Sequence, residues 1–201
     1  LRHVGEDLSG QAGERHQMPL AVLGPLAGNA PSIGADLAPP HAGNFAALIP
    51  ATLQDTHSLS RDMGWASLVA VQARGLPYLM AGRNMMIQAR TGSGKTGAFL
   101  LPLLERLDSA SPQCQALILV PTRELAAQVQ QSVRTYGKHT KLRSTVVFGG
   151  VGIHPQIAEL KRGVDILVAT PGRLLDHIQQ GNCKLDHINY LVLDEADRLL
   201  D

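Results

Sequence analysis

From Phe45 onward the chain alternates short apolar runs with longer stretches of helical spacing. The runs are "NMMIQA" (84–89), "QALILV" (115–120), "RSTVVF" (143–148), "VDILVA" (164–169) and "NYLVLD" (189–194). Between them apolar positions recur every three to four residues, as in "RELAAQVQQSVRTYG" (123–137). That period gives a helix one wet and one dry face, whereas short unbroken apolar runs suit strands covered on both sides. Regular alternation of the two predicts βαβ units, and so an α/β domain whose parallel sheet is flanked by helices. The five runs set a minimum for the sheet, and no internal repeat is visible.

Residues 1–44 break the pattern. They hold seven Gly and five Pro and no Phe, Trp or Tyr, a composition that predicts a disordered tail ahead of a folded domain over 45–201. "MPLAVLGPLAGNA" (18–30) is faintly signal-like, but Pro and Gly interrupt it and no basic leader precedes it, so it is read as tail. The 201 residues suit one domain with a substantial core. A net charge of +1 excludes a surface coated in basic residues, so any nucleic-acid site has to be local. Cys114 and Cys183 are far apart and form neither a disulfide framework nor a zinc motif, which fits a reducing, cytoplasmic setting. The eight histidines show no metal-ligand spacing. No run approaches the roughly 18 apolar residues a membrane span needs, and no membrane partner is expected.

The chemistry begins where the first run ends. "ARTGSGKT" (89–96) follows a strand and opens a helix, the context a phosphate-binding P-loop requires. Ala89 stands where the consensus has Gly. Gly92 and Gly94, with Thr91 and Ser93 between and beside them, let successive backbone N–H groups turn toward one anion at a helix N-terminus. Lys95 is placed for the β- and γ-phosphates and Thr96 for a Mg²⁺ ion. A glycine-rich turn that merely contains a lysine would not explain strand, loop and helix falling in register.

At the last run, "LVLDEAD" (191–197), two adjacent carboxylates end a buried strand. Strands of a parallel sheet finish on one edge, where ligands bind, so Asp194 can face the phosphates across a bound metal. Glu195 is then placed to orient or deprotonate a water. An acidic N-cap would account for one of these acids but not for three, Asp197 being the third. Together with the P-loop they predict a nucleoside triphosphatase.

The other strand ends are also marked. "PTRELA" (121–126), Gly149-Gly150 and "TPGR" (170–173) each follow a strand. Thr122 and Thr170 suit N-caps and Pro171 the first helical position. Arg123 and Arg173 sit in first turns, where a cation opposes the helix dipole unless an anion joins it. A second anion site for successive phosphates of an extended polyanion follows, with ordinary capping and solvated arginines as the alternative at either motif.

These motifs in this order resemble the first RecA-like domain of the DEAD-box ATP-dependent RNA helicases, over about Phe45 to Asp201. Gln156 and Gly163 fall between the glycine pair and "TPGR" as in that family. The resemblance implies a RecA-like P-loop NTPase domain, ATP and Mg²⁺ as cofactors, and RNA as partner. It implies RNA backbone contacts at Pro121, Thr122, Arg123, Gly149, Gly150, Thr170, Pro171, Gly172 and Arg173. Upstream, "MGWASLVAVQARGLPYLMAGRN" (63–84) is similar to the family's adenine-reading motif. Gln72 matches its glutamine, whose amide both donates and accepts, and Trp65 follows Gly64 where an aromatic usually stands. Leu68-Val69 replaces the usual Pro-Thr, and Phe45 lies about two residues further upstream than the family's stacking aromatic. Phe45 stacks on adenine in one reading and anchors the first helix in the other.

The family also carries a Ser-Ala-Thr motif after "DEAD" and a second RecA-like domain with arginine fingers and half of the RNA cleft. Neither is in these 201 residues, so the domain is expected to be incomplete at its C-terminus and unable to finish a catalytic cycle. The leading reading is the first half of a parent enzyme that couples ATP hydrolysis to RNA duplex unwinding. The others are a truncated, nucleotide-dependent RNA-binding fragment without turnover, and a DNA-directed helicase of the same superfamily, which fits the motif set less well.

Overall fold

The computed structural model describes residues 20–25 and 68–199. Its strands are β1 (Leu20–Pro25), β2 (Met85–Gln88), β3 (Ala116–Leu119), β4 (Ser144–Val147), β5 (Ile166–Ala169) and β6 (Tyr190–Leu193). Its helices are α1 (Ala70–Met80), α2 (Lys95–Arg106), α3 (Arg123–Tyr136), α4 (Ile153–Lys161), α5 (Pro171–Gln179) and α6 (Ala196–Leu199). Each of β2 to β6 lies inside one of the apolar runs, and α3 occupies the helical stretch read from residues 123–137.

The sheet order is β2-β1-β6-β3-β5-β4. β6, β3, β5 and β4 are mutually parallel, in a register that aligns Leu117 with both Leu167 and Leu191. Successive side chains of these strands enter opposite layers, as the pleat dictates. Ile118, Ile166, Val168 and Val192 pack with Phe99, Leu100, Ala126, Val129 and Val133 of α2 and α3. Leu117, Leu167 and Ala169 pack on the other side with Leu174 of α5, Cys183 and Ile188. The continuous apolar runs are thus explained: all four residues of β5 are buried.

Helix α3 shows how local sequence sets an element. Its buried residues, Ala126, Val129, Gln130 and Val133, fall at helical spacing, which gives one core-facing stripe. Thr122 Oγ1 accepts the Leu125 N–H at 3.2 Å, and the chain leaves through Gly137, whose N–H bonds the Val133 carbonyl at 2.8 Å.

One strand departs from the sequence reading. Leu20–Pro25, "LAVLGP", belongs to the stretch assigned by composition to a disordered tail, yet it forms β1 between β2 and β6. It is antiparallel to both, pairing Leu20 with Gln88 and Pro25 with Tyr190. Averaged composition hid a short apolar segment that can satisfy the facing backbone groups of two strands at once. Two antiparallel steps leave β2 parallel to β6, so the P-loop strand and the acidic strand still end on one edge. Phe45, Gly64 and Trp65 lie outside the described residues.

Candidate functional site

Five loops leave the same edge of the sheet. Following the strand order, they are the P-loop after β2, the Asp194–Glu195 turn after β6, Pro121-Thr122 after β3, Thr170 after β5 and Gly149-Gly150 after β4. The sequence places these motifs in a different order. The crossovers sort them into a P-loop and carboxylate group toward one end and an arginine and glycine group toward the other.

In the first group, Gly92 (φ 77°) and Gly94 (φ 92°) adopt left-handed backbone that side chains rarely tolerate. Gly94 has a second constraint, because a Cβ there would lie 2.7 Å from Val69 Cγ2 and 3.0 Å from Gln72 Nε2. Gln72 is 4 % exposed and ties α1 to the loop: its Nε2 donates to the Gly94 carbonyl, and its Oε1 accepts the Val69 N–H, each at 3.2 Å. Helix α2 starts at Gly94 without a side-chain cap, which leaves its first N–H groups for an anion. Ser93 Oγ is buried and has no hydrogen-bond partner.

Lys95, 8 % exposed, folds back on its own loop and donates to the carbonyls of Ala89 (2.5 Å) and Arg90 (3.0 Å). Burial lowers its pKa, although Asp194, Glu195 and Asp197 pull the other way. Asp194 is 4 % exposed, and burial raises its pKa against the pull of Lys95. In each, burial disfavours the charged form and the partner offsets that only in part. Asp194 Oδ1 accepts the Glu195 N–H at 3.1 Å. Glu195 is the one non-glycine residue with positive φ (50°) among the described residues, and its carboxylate meets Arg198 at 3.2 Å. Backbone strain at a turn that follows the buried Asp194 carboxylate is the kind that clusters at functional sites.

The residues present fit a nucleotide phosphate with a divalent cation. An orphan hydroxyl, an uncapped helix start and a lysine resting on carbonyls suit phosphate oxygens, and a buried carboxylate opposite suits a cation shared with them. No group of three or more His, Cys, Asp or Glu able to hold a metal is found among the described residues, so phosphate oxygens would have to complete such a site.

The second group is built differently. Arg123 is exposed, paired with Glu124 at 2.7 Å, and its Nη1 lies 3.0 Å from where a Cβ on Gly150 would be. The "PTRELA" and glycine-pair loops thus touch. Thr170 takes the N-cap position of α5 with no side-chain bond, and Pro171 the first helical position. Arg173 donates from both terminal nitrogens to the Val151 carbonyl at 3.1 Å, and meets Asp176 at 3.4 Å. Gly150 has φ 81°. Nothing lies within 4 Å of a Cβ built on Gly149 or Gly172, so backbone is open to a ligand at both.

Three contacts escaped the sequence reading. Arg198 restrains Glu195. Gln156, known only by its spacing, donates to the Phe148 carbonyl at 3.0 Å. His177, fully buried on α5, meets Gln156 Oε1 at 3.1 Å. A lone histidine one helical turn beyond Leu174 on a core-facing stripe carries no signal by itself.

A mostly parallel α/β sheet with a P-loop on one strand end and an acidic pair on another defines a P-loop nucleotide-binding domain. Residues 69–201 match the DEAD/DEAH box helicase family model. The chain belongs to that family. It is 47 % identical over 138 residues to the ATP-dependent RNA helicase CshA of Limosilactobacillus reuteri, a match covering 69 % of this chain and 28 % of that protein. It is 45 % identical over 170 residues to the probable ATP-dependent RNA helicase DDX17 of Mus musculus, covering 80 % of this chain and 24 % of that one. The matched part is thus about a quarter of the length of these relatives. Among solved structures, a DEAD box protein from Methanococcus jannaschii superposes with a TM-score of 0.65 at 38 % identity, over 71 % of this chain and 39 % of that chain. The fold is the RecA-like domain of DEAD-box helicases.

Proposed function

We propose that this chain is the nucleotide-binding half of an ATP-dependent RNA helicase. ATP with Mg²⁺ sits at the P-loop, and RNA backbone lies along the "PTRELA", glycine-pair and "TPGR" strand ends. The observation that carries the reading is the gathering of all five motif loops on one sheet edge, with buried opposite charges in one group and arginines with open glycine backbone in the other. Ala89 to Lys95 cradle the phosphates, with Lys95 exchanging two carbonyls for phosphate oxygens. Thr96 and Asp194 are the residues that would hold Mg²⁺, which when bound neutralises phosphate charge. Glu195, fixed by its turn and by Arg198, orients the attacking water and takes its proton. Gln72 keeps one N–H and one lone pair after its two contacts, enough to read one edge of adenine.

In the second group, Arg123, Arg173 and the N–H groups at Thr122, Gly149, Gly150 and Gly172 bind phosphates without reading bases. Among the described residues, neither the Gly149 nor the Gly150 N–H donates to a backbone carbonyl. RNA duplex unwinding belongs to a longer protein in which a second RecA-like domain closes on the nucleotide. Relatives named as helicases favour this over a binding fragment without turnover. A cytoplasmic setting is in keeping with unpaired Cys114 and Cys183. No helix among the described residues is long and apolar enough to cross a membrane. The test is to titrate the 201 residues with ADP–Mg²⁺ and with labelled single-stranded RNA, and to assay ATPase with and without RNA. Both ligands should bind, with almost no RNA-stimulated turnover. Absence of nucleotide binding would refute the reading, and strong stimulation would place a catalytic arginine within this chain, with Arg173 and Arg198 the first to replace.

A further inference from the structure

The loop after β4 is fastened at both ends, at its start by Gln156 of α4, which His177 of α5 holds, and at its end by Arg173 of α5. At its start, the Phe148 carbonyl accepts from Gln156 Nε2. At its end, the Val151 carbonyl accepts both terminal nitrogens of Arg173. Gln156 is held in turn by His177, four residues beyond Arg173 and so next to it along the helix surface. Between the two fastenings lie Gly149 and Gly150, whose N–H groups donate to no backbone carbonyl among the described residues.

The protons in this chain of contacts can be assigned. Because the Gln156 amide nitrogen faces a carbonyl, its oxygen faces His177, so His177 Nε2 must carry a hydrogen. Nδ1 is then a bare acceptor, and it is buried without a hydrogen-bond partner. A charged imidazole would need an acceptor at Nδ1 that is not there. Burial and the neighbouring Arg173 cation lower the His177 pKa, with Asp176 opposing them. Buried polar atoms left unpaired are uncommon, and an apolar side chain would fill this space without that cost. What the polar pair adds beyond packing is the orientation of Gln156, and through it the position of the Phe148 carbonyl.

We propose that His177 is a positioning residue: as the neutral Nε2–H tautomer it orients Gln156, which holds the Gly149-Gly150 loop in place to present its two N–H groups to consecutive phosphates. The ligand in this inference rests on the RNA reading above, whereas the fastening of the loop does not.

The experiment uses the full 201-residue chain and three readouts. The first is the backbone ¹⁵N order parameters of residues 149–152. The second is the ¹⁵N spectrum of the His177 ring. The third is affinity for a labelled single-stranded RNA set beside affinity for ADP–Mg²⁺. His177→Phe should lower the order parameters at 149–152 and weaken RNA binding by about threefold to thirtyfold, the usual range for a residue acting through others, with ADP affinity within about twofold of wild type. His177→Gln, which can still donate to Gln156, should restore both. Gln156→Glu, which cannot donate to Phe148, should release the loop as His177→Phe does. The wild-type ring should show one protonated nitrogen, Nε2. A ring protonated at Nδ1 overturns the proposal even where His177→Phe fails to fold. So do unchanged order parameters in folded variants, equal loss of RNA and ADP affinity, or a His177→Gln chain that behaves like Phe. If wild type binds no RNA, the RNA reading falls, while order parameters and tautomer still decide the fastening.

Discussion

The two ends of the sheet edge, both proposed to bind anions, are built differently. At the P-loop end the charged groups are buried: Lys95 and Asp194 are 8 % and 4 % exposed, and Ser93 Oγ has no partner. At the other end Arg123 is exposed and paired with its neighbour Glu124, Arg173 is 12 % exposed and bound to a carbonyl, and the buried pair, Gln156 and His177, is uncharged. A small ligand that carries several charges can repay a deep and costly site, because it brings its own counter-charges and is enclosed. A long polyanion crosses many such ends and is held better by exposed cations and open backbone in a fixed shape. On the proposed assignment, a buried opposite-charge pair belongs to the nucleotide and fixed loop geometry to the polyanion.

The comparison breaks most sharply at Glu195. In a protein carrying both RecA-like domains, Glu195→Gln should slow ATP hydrolysis by about 10²–10⁴, the scale of a general base, and leave RNA affinity unchanged; single-turnover kinetics and RNA titration read the two. Near-normal turnover would mean that another group positions the water. Next in size is Gly94→Ala, which forces both a left-handed backbone and a 2.7 Å contact with Val69 Cγ2. It should abolish detectable ADP binding and lower stability by roughly 1–3 kcal/mol, measured by calorimetry and denaturant unfolding.

A smaller effect sharpens the electrostatic half of the comparison. Burial raises the folded pKa of Asp194 above 3.8, so the folded state holds this proton more tightly than the unfolded state does. Stability from this group is therefore greatest at low pH and declines as pH rises from about 3.8 through the folded pKa. Asp194→Asn should remove that decline, so the stability difference between variant and wild type should shift toward the variant as pH rises from about 3.5 to 7. A difference flat in pH would mean that the carboxylate is not held at a cost. The smallest effect belongs to Arg123→Ala: RNA binding should weaken at low salt and the salt slope should fall by about one, with thermal stability unchanged. A cost in stability would assign Arg123 to the fold rather than to a ligand.

Much of this was legible beforehand because it is local. Strand cores from Met85 to Leu193, the Thr122 cap, and the P-loop and acidic turn are each encoded within a few residues by spacing or by backbone demands. What was illegible depends on contacts between distant positions. Nothing in "LAVLGP" announces that it pairs with β2 and β6, and local composition argued against it. Gln72 shows its link from α1 to the P-loop only when Gly94 is beside it. His177 becomes informative only once Gln156 and the Phe148 carbonyl stand against it, contacts 21 and 8 residues apart along the chain. The interleaved strand order, which separates the two ends of the edge, is likewise a property of the whole sheet.

The central claim, two anion sites of different construction on one edge, is tested most directly by a crossed titration. Wild type, Lys95→Ala and Arg173→Ala are each titrated with ADP–Mg²⁺ and with a single-stranded RNA at fixed salt. Lys95→Ala should lose nucleotide affinity by about 1.5–3 kcal/mol for each charge-assisted hydrogen bond removed and keep RNA affinity. Arg173→Ala should do the reverse. Equal nucleotide affinity in wild type and Lys95→Ala, or parallel losses of both ligands in either variant, would contradict the account.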